Sequence, residues 1–287
     1  NPVIVDLGVV RVGDSSNTET VMVGNAAADT ALNDVLRESS RSVDGPFMLS
    51  GSVGDLDAGD TANLTASLDT STAGNFSGNA TLGFVSHNDF MTDLSLGSEV
   101  IMLSGQVNNL AEAEYEMLSG DGALSGGGTS YLLDFGSVNV DTGLVSLSSE
   151  LGIRNGASGP AADNLAGDFI LPGSSLFGLS GFDAFADLAF GNLLSGLFVS
   201  FDFDTTGAVA SVIQDSITLN PSSIFPTLAD ISLASIVLDF RVTLTDVTPA
   251  VPEPGTFAVF SLGLLMLVLF SRRKQAAYSS VLSLQIR

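Results

Sequence analysis

The sequence predicts an all-β chain: two tandem β-sandwich modules followed by one apolar C-terminal segment. Three observations predict it. Short runs alternate apolar and polar residues, the composition favours strands and turns, and several motifs occur twice in the same order. Gly accounts for 31 of the 287 residues and Lys for one, while 45% of residues are apolar. Such a mix suits short strands joined by turns and leaves enough apolar material for a core in each half.

The alternation is explicit. Leu64, Ala66 and Leu68 are separated by polar residues, as are Ala80, Leu82 and Phe84. In the second half Leu197, Val199, Phe201 and Phe203 alternate, and so do Leu238, Phe240, Val242 and Leu244. Period two places one face of each run in a core and the other in water. Turn clusters such as Asp57-Ala58-Gly59-Asp60, Thr72-Ala73-Gly74-Asn75 and Thr205-Thr206-Gly207 separate the runs.

The duplication rests on three pairs. VDLGVVRVG from Val5 matches LDFGSVNVD from Leu133; FMLSG from Phe47 matches FGLSG from Phe177. SLDTSTAGNFSGNATLGF from Ser67 then matches SFDFDTTGAVASVIQDSITL from Ser200. Repetition in one order predicts two copies of one unit. With about seven short strands per ~110 residues, each unit reads as an immunoglobulin-like sandwich. The expected modules span residues 1–107 and 131–248. Residues 108–130, with AEAEYEM and SGDGALSGGG, read as a flexible acidic, Gly-rich linker.

The motif order resembles the choice-of-anchor D repeats of exported bacterial proteins. The likeness is carried by LDFGSV at Leu133 to Val138, LGIRNGA at Leu151 to Ala157 and LDTSTAG at Leu68 to Gly74. The resemblance implies an envelope or extracellular protein and supplies no catalytic residue.

Residues 249–274 form the next unit. Pro252 and Pro254 end the preceding strand. Phe257 to Phe270 then carries no charge, and Arg272, Arg273 and Lys274 follow at once. At ~1.5 Å per residue the run spans roughly 21 Å, and flanking residues with snorkelling cations extend it toward a ~30 Å hydrocarbon core. A transmembrane helix is expected, with the basic cluster cytoplasmic and the body exported. The combination of Pro252-Glu253-Pro254, the apolar run and the Arg272-Arg273-Lys274 stop resembles the PEP-CTERM sorting signal of Gram-negative bacteria. That resemblance implies recognition and processing by an exosortase at the inner membrane. Such signals usually end after the basic cluster, whereas residues 275–287 continue as a tail.

Charge and residue usage bound the chemistry. Residues 1–250 hold five Arg, no Lys and 31 Asp and Glu, a balance that repels phosphate backbones and excludes nucleic acid as a partner. Without Cys there are no disulfides, thiolate sites or Cys nucleophiles. His87 is the one imidazole, read as an exposed loop residue after a strand, and no GxSxG elbow accompanies it. No P-loop is possible with Lys274 as the sole Lys. A sugar cleft built on carboxylates lacks aromatic platforms, with no Trp and three Tyr. Calcium is the one ligand to weigh. Asp55, Asp57 and Asp60 crowd one turn, and Asp202, Asp204 and Asp69 occur at others. Hard oxygen donors in a loop suit that ion, although Asp also simply favours turns.

The expectation is therefore a non-enzymatic exported protein without a cofactor, sorted to the cell surface or outside. There it would act as a structural or adhesive element, with exopolysaccharide of a biofilm as a possible partner. The alternative is an adhesin module that binds calcium or a glycan.

Overall fold

The computed structural model describes residues 3–30 and 32–246. The expected membrane helix, the sorting residues and the tail lie outside the described residues. Nineteen strands and no helix occur among the described residues.

The first half contains β1 (Val3–Arg11), β2 (Thr18–Gly24), β3 (Val35–Val43), β4 (Phe47–Ser50), β5 (Asp55–Leu56), β6 (Thr61–Leu68), β7 (Gly74–His87) and β8 (Leu94–Asn108). They form a five-stranded sheet ordered β1-β8-β7-β3-β5 and a three-stranded sheet ordered β2-β6-β4. One apolar cluster draws on both sheets, with Leu64, Ala66, Ala80 and Leu82 among its members. The period-two residues fall where the alternation placed them: Leu64 and Ala66 are 0% exposed while their neighbours reach solvent.

The second half contains β9 (Ala113–Gly120), β10 (Ala123–Gly127), β11 (Ser130–Asn139), β12 (Leu144–Asn155), β13 (Asn164–Ile170), β14 (Phe177–Ser180), β15 (Phe185–Leu188), β16 (Leu193–Asp204), β17 (Ser211–Ile224), β18 (Ile231–Ser232) and β19 (Ile236–Thr245). A seven-stranded sheet runs β10-β11-β19-β17-β13-β15, with β18 paired to β17, and a four-stranded sheet runs β14-β16-β12-β9. The core between them is richer in aromatic residues. Phe177 lies 4.8 Å from Phe240 and 5.2 Å from Phe201, ring centre to ring centre.

The linker reading is corrected. Residues 108–130 are not a flexible spacer: β9 pairs antiparallel with β12, and β10 forms a hairpin with β11. Ala113 and Tyr115 belong to the second core, and Met117 packs against it. The alternation of Ala113, Tyr115 and Met117 with Glu114 and Glu116 was a strand signal that acidic composition concealed. The second core therefore begins at Ala111 and not after residue 130.

The duplicated motifs build the same devices twice. In VDLG, Asp6 Oδ1 accepts from the Gly8 amide at 3.0 Å, and in LDFG, Asp134 Oδ1 accepts from Gly136 at 2.9 Å. Both Gly residues adopt positive φ, +68° and +82°, which a side chain resists. At β1 the register with its parallel partner β8 shifts between Asp6 and Val9. Asn25 and Asn155 likewise repeat one corner: Asn25 Nδ2 donates to Leu56 O at 3.0 Å, and Asn155 Nδ2 to Leu188 O at 3.1 Å. Each then receives an amide on its own carbonyl at 2.8 Å, from Gly59 and Gly191 respectively.

Candidate functional sites

Sorting residues Pro252, Glu253, Pro254, Arg272, Arg273 and Lys274 lie outside the described residues. The calcium candidates are described, and the structure does not assemble them. Asp55 sits on β5 and is forked by Arg37, with Nε–Oδ1 at 2.6 Å and Nη2–Oδ2 at 2.7 Å. The Arg37 guanidinium holds the Asp55 carboxyl below the usual carboxylate range. Asp57 and Asp60 close a backbone turn, the Asp60 amide donating to Asp57 O at 3.0 Å. Among the described residues no group of three or more His, Cys, Asp or Glu is placed to hold a metal. Asp69 and Asp204 each accept a backbone amide two residues on, from Ser71 at 2.9 Å and Thr206 at 3.0 Å. These hydrogen bonds shape turns, the role that short acidic side chains commonly fill.

His87 is not a free loop residue. It ends β7, opposite Val35, with its side chain 18% exposed. Nδ1 stands 2.7 Å from Asp93 Oδ1 and 3.1 Å from Arg37 Nη1, and Nε2 stands 3.3 Å from Asp89 Oδ1. The hydrogen bond to Asp93 raises its pKa above the ordinary imidazole value, and desolvation and Arg37 oppose it. The adjacent Ser86 hydroxyl donates to Asp34 at 2.7 Å. The geometry is that of an ion cluster tying the β7 end to neighbouring turns, with the Ser hydroxyl turned to a carboxylate.

A site that the sequence did not announce lies between the halves. Asp163 is 0% exposed, and its carboxylate accepts three bonds: Arg11 Nε at 2.6 Å, Asn108 Nδ2 at 2.9 Å and Ser223 Oγ at 2.9 Å. Arg11 Nη1 also donates to Ala229 O at 2.8 Å. Alongside, Asn109 and Ala162 form a parallel bridge, with Asn109 N to Ala161 O at 3.1 Å. Arg11 stands within the first duplicated motif at the position where the second copy has Asn139, and nothing in its own segment points to Asp163.

The other cations are also committed. Arg41 forks Glu38 with both distances 2.7 Å, Arg154 forks Glu116, and Arg241 meets Asp134 at 2.7 Å. Every Arg in residues 3–246 thus faces a carboxylate, and none of them is left over for an anionic ligand. Among the described residues no helix is long and apolar enough to cross a membrane. A groove of about 340 Å³ opens beside β2, lined by Val21, Val23, Leu36, Phe84, Leu96 and Val3.

With this geometry in view, the chain can be set beside known proteins. Residues 250–274 match the PEP-CTERM protein-sorting motif, so the chain carries that signal at its C-terminal end. It marks the protein as exported and associated with the cell envelope. No curated protein matches the chain. Among solved structures, a protein of unknown function from Porphyromonas gingivalis W83 is 13% identical, with 82% of this chain and 94% of that chain covered and a TM-score of 0.29. CfaE, the adhesive subunit of the CFA/I fimbria of enterotoxigenic Escherichia coli, is 10% identical over 87% of this chain and 99% of its own, at a TM-score of 0.32. The Yersinia pseudotuberculosis adhesin InvE is 13% identical over 85% and 57%, at 0.21. Scores this low carry neither fold nor function across.

Proposed function

We propose that this is a non-enzymatic cell-surface or matrix protein, delivered through its C-terminal signal and processed by an exosortase. The PEP-CTERM match at residues 250–274 carries the proposal. Pro252, Glu253 and Pro254 serve recognition, Phe257 to Phe270 membrane insertion, and Arg272, Arg273 and Lys274 topology. The displayed body consists of two immunoglobulin-like sandwiches of the choice-of-anchor D kind. Its role is structural or adhesive, in contact with exopolysaccharide. Two features support this reading. The acidic exterior stays hydrated, and the body arginines are spent on internal ion pairs.

Expression of the tagged full chain behind a signal peptide, with and without an exosortase, tests the proposal. Loss of the C-terminal segment's mass, only when the enzyme is present, is the expected result. An intact membrane-bound product in both hosts would refute the processing step.

A further inference from the structure

The middle of the outer face of the five-stranded sheet is set out in three rows. Ser42 of β3 stands beside Thr81 of β7, and Thr81 beside Val100 of β8. Asn79 of β7 stands beside Met102 of β8, and Met102 beside Ile4 of β1. Ser77, Ser104 and Asp6 follow in the same way. The three rows hold no cation and one acid, in a body that carries 31 acids over residues 1–250. The inner side of the same strands is core: Ala80, Leu82, Ile101 and Leu103 are at most 3% exposed. The outer side chains are thus held at fixed spacing, ~4.8 Å across the strands and ~6.8 Å along them.

The polar groups of this face have no work inside the protein. Asn75, Ser77, Asn79 and Thr81 are successive outward positions of β7, and among the described residues their side chains make no hydrogen bond. The carboxylate of Asp44, at the rim beyond β3, likewise takes none. Apolar side chains lie open among them: Met102 is 45% exposed and Val100 41%. A shallow groove of about 540 Å³ joins Asp44, Ser77, Asn79, Met102, Ser104 and Ile4. The sheet order makes β17 the counterpart of β7 in the second module, and its outer face differs. There Asp168 stands beside Asn220, Asp239 beside Ser216 and Arg241 beside Gln214.

We propose that this face binds a neutral polysaccharide chain, an inference that rests on the surface or matrix role proposed above. The free groups match hydroxyls. An Asn amide both donates and accepts, as a Ser or Thr hydroxyl does, and so does each hydroxyl of a sugar. Asp44 accepts from hydroxyls that approach over the rim. Met102 and Val100 meet the C–H faces of the rings. The paired strands hold these groups in place before binding, which lowers the cost of association. Other partners are matched less well. A nucleic acid or a uronate polymer finds no cation in these rows and is repelled by the acidic body. At the centre of the face β8 is paired on both sides, so it offers an extended peptide no strand edge. A lipid surface would bury the Asn amides without partners.

The test passes the full chain, in mild detergent, over immobilised dextran, glucomannan and mixed-linkage β-glucan, with alginate as the anionic counterpart. At least one neutral polymer should bind saturably and with little response to added salt, and alginate should not bind. Asn79→Ala and Met102→Glu should each weaken binding at least fivefold. Both positions face outward, so the two variants should melt with the wild type. Gln214→Ala removes an exposed amide from the counterpart strand of the second module and should leave binding unchanged. Binding to none of the neutral polymers, binding to alginate at equal strength, full affinity in either first-module variant, or equal loss with Gln214→Ala would each overturn the proposal. None of these outcomes bears on sorting, which is read from the mass of the processed chain.

Discussion

At the residue scale, Tyr115 and His87 show how little of a side chain's surroundings its own segment reveals. Tyr115 is buried in the second core, and its hydroxyl makes no hydrogen bond. Burial pushes its pKa well above the usual phenol value, with the nearby Tyr131 adding to the effect. A buried hydroxyl without a partner costs stability, so Tyr115→Phe should be neutral or stabilising by up to about 1 kcal/mol. Urea titration of the two proteins checks this. His87 gives a pH signature. Its folded-state pKa is raised, chiefly by Asp93. A raised folded pKa means that the protonated form is the stabilised one. The contribution is therefore complete below the unfolded value of about 6.5 and fades as pH rises through the higher folded value. The difference in melting temperature between wild type and His87→Ala should shrink on going from acidic to mildly alkaline buffer. A gap that widens would contradict the assignment.

At the element scale, the duplicated Asp-Xaa-Gly motifs show a turn device legible in the sequence and explained by the backbone. Gly136 lies at φ +82° in open space, so a methyl group there meets no atom and strains only the backbone. Gly136→Ala should cost about 1–2 kcal/mol, measured as a lower denaturation midpoint at unchanged slope. The strand faces were equally legible. Leu197, Val199 and Phe201 are each 0% exposed, as alternation required. β9 was not legible, because Glu112, Glu114 and Glu116 made its composition that of a linker while its period was that of a strand.

At the scale of the whole molecule, the junction is decisive. β8 ends at Asn108, and Ala111 already belongs to the second core, so no slack chain separates the halves. Asp163, on the second half, is held by Arg11 and Asn108 of the first. Removing one partner of a buried pair strands a charge and costs about 3–5 kcal/mol. Asp163→Ala should lower stability by that amount. It should also split a single calorimetric transition into two, as each core comes to unfold alone. The double change Arg11→Met with Asp163→Leu should recover only part of the loss, because it removes the stranded charge but leaves the buried Asn108 Nδ2 and Ser223 Oγ without their acceptor.

The sequence by itself determined the all-β character, the faces of the main strands, the turn motifs, the acidic exterior and the sorting signal. Each is written in neighbouring residues: a period of two, a Gly at a fixed offset, a Pro-Glu-Pro before an apolar run. Tertiary structure alone decided that residues 113–120 complete a sheet, that Arg11 reaches Asp163 and that Asp55 is spent on Arg37. Those outcomes depend on pairing between residues far apart in the chain. Local spacing sets a side chain's face but leaves undetermined which distant strand, or which distant charge, will meet it.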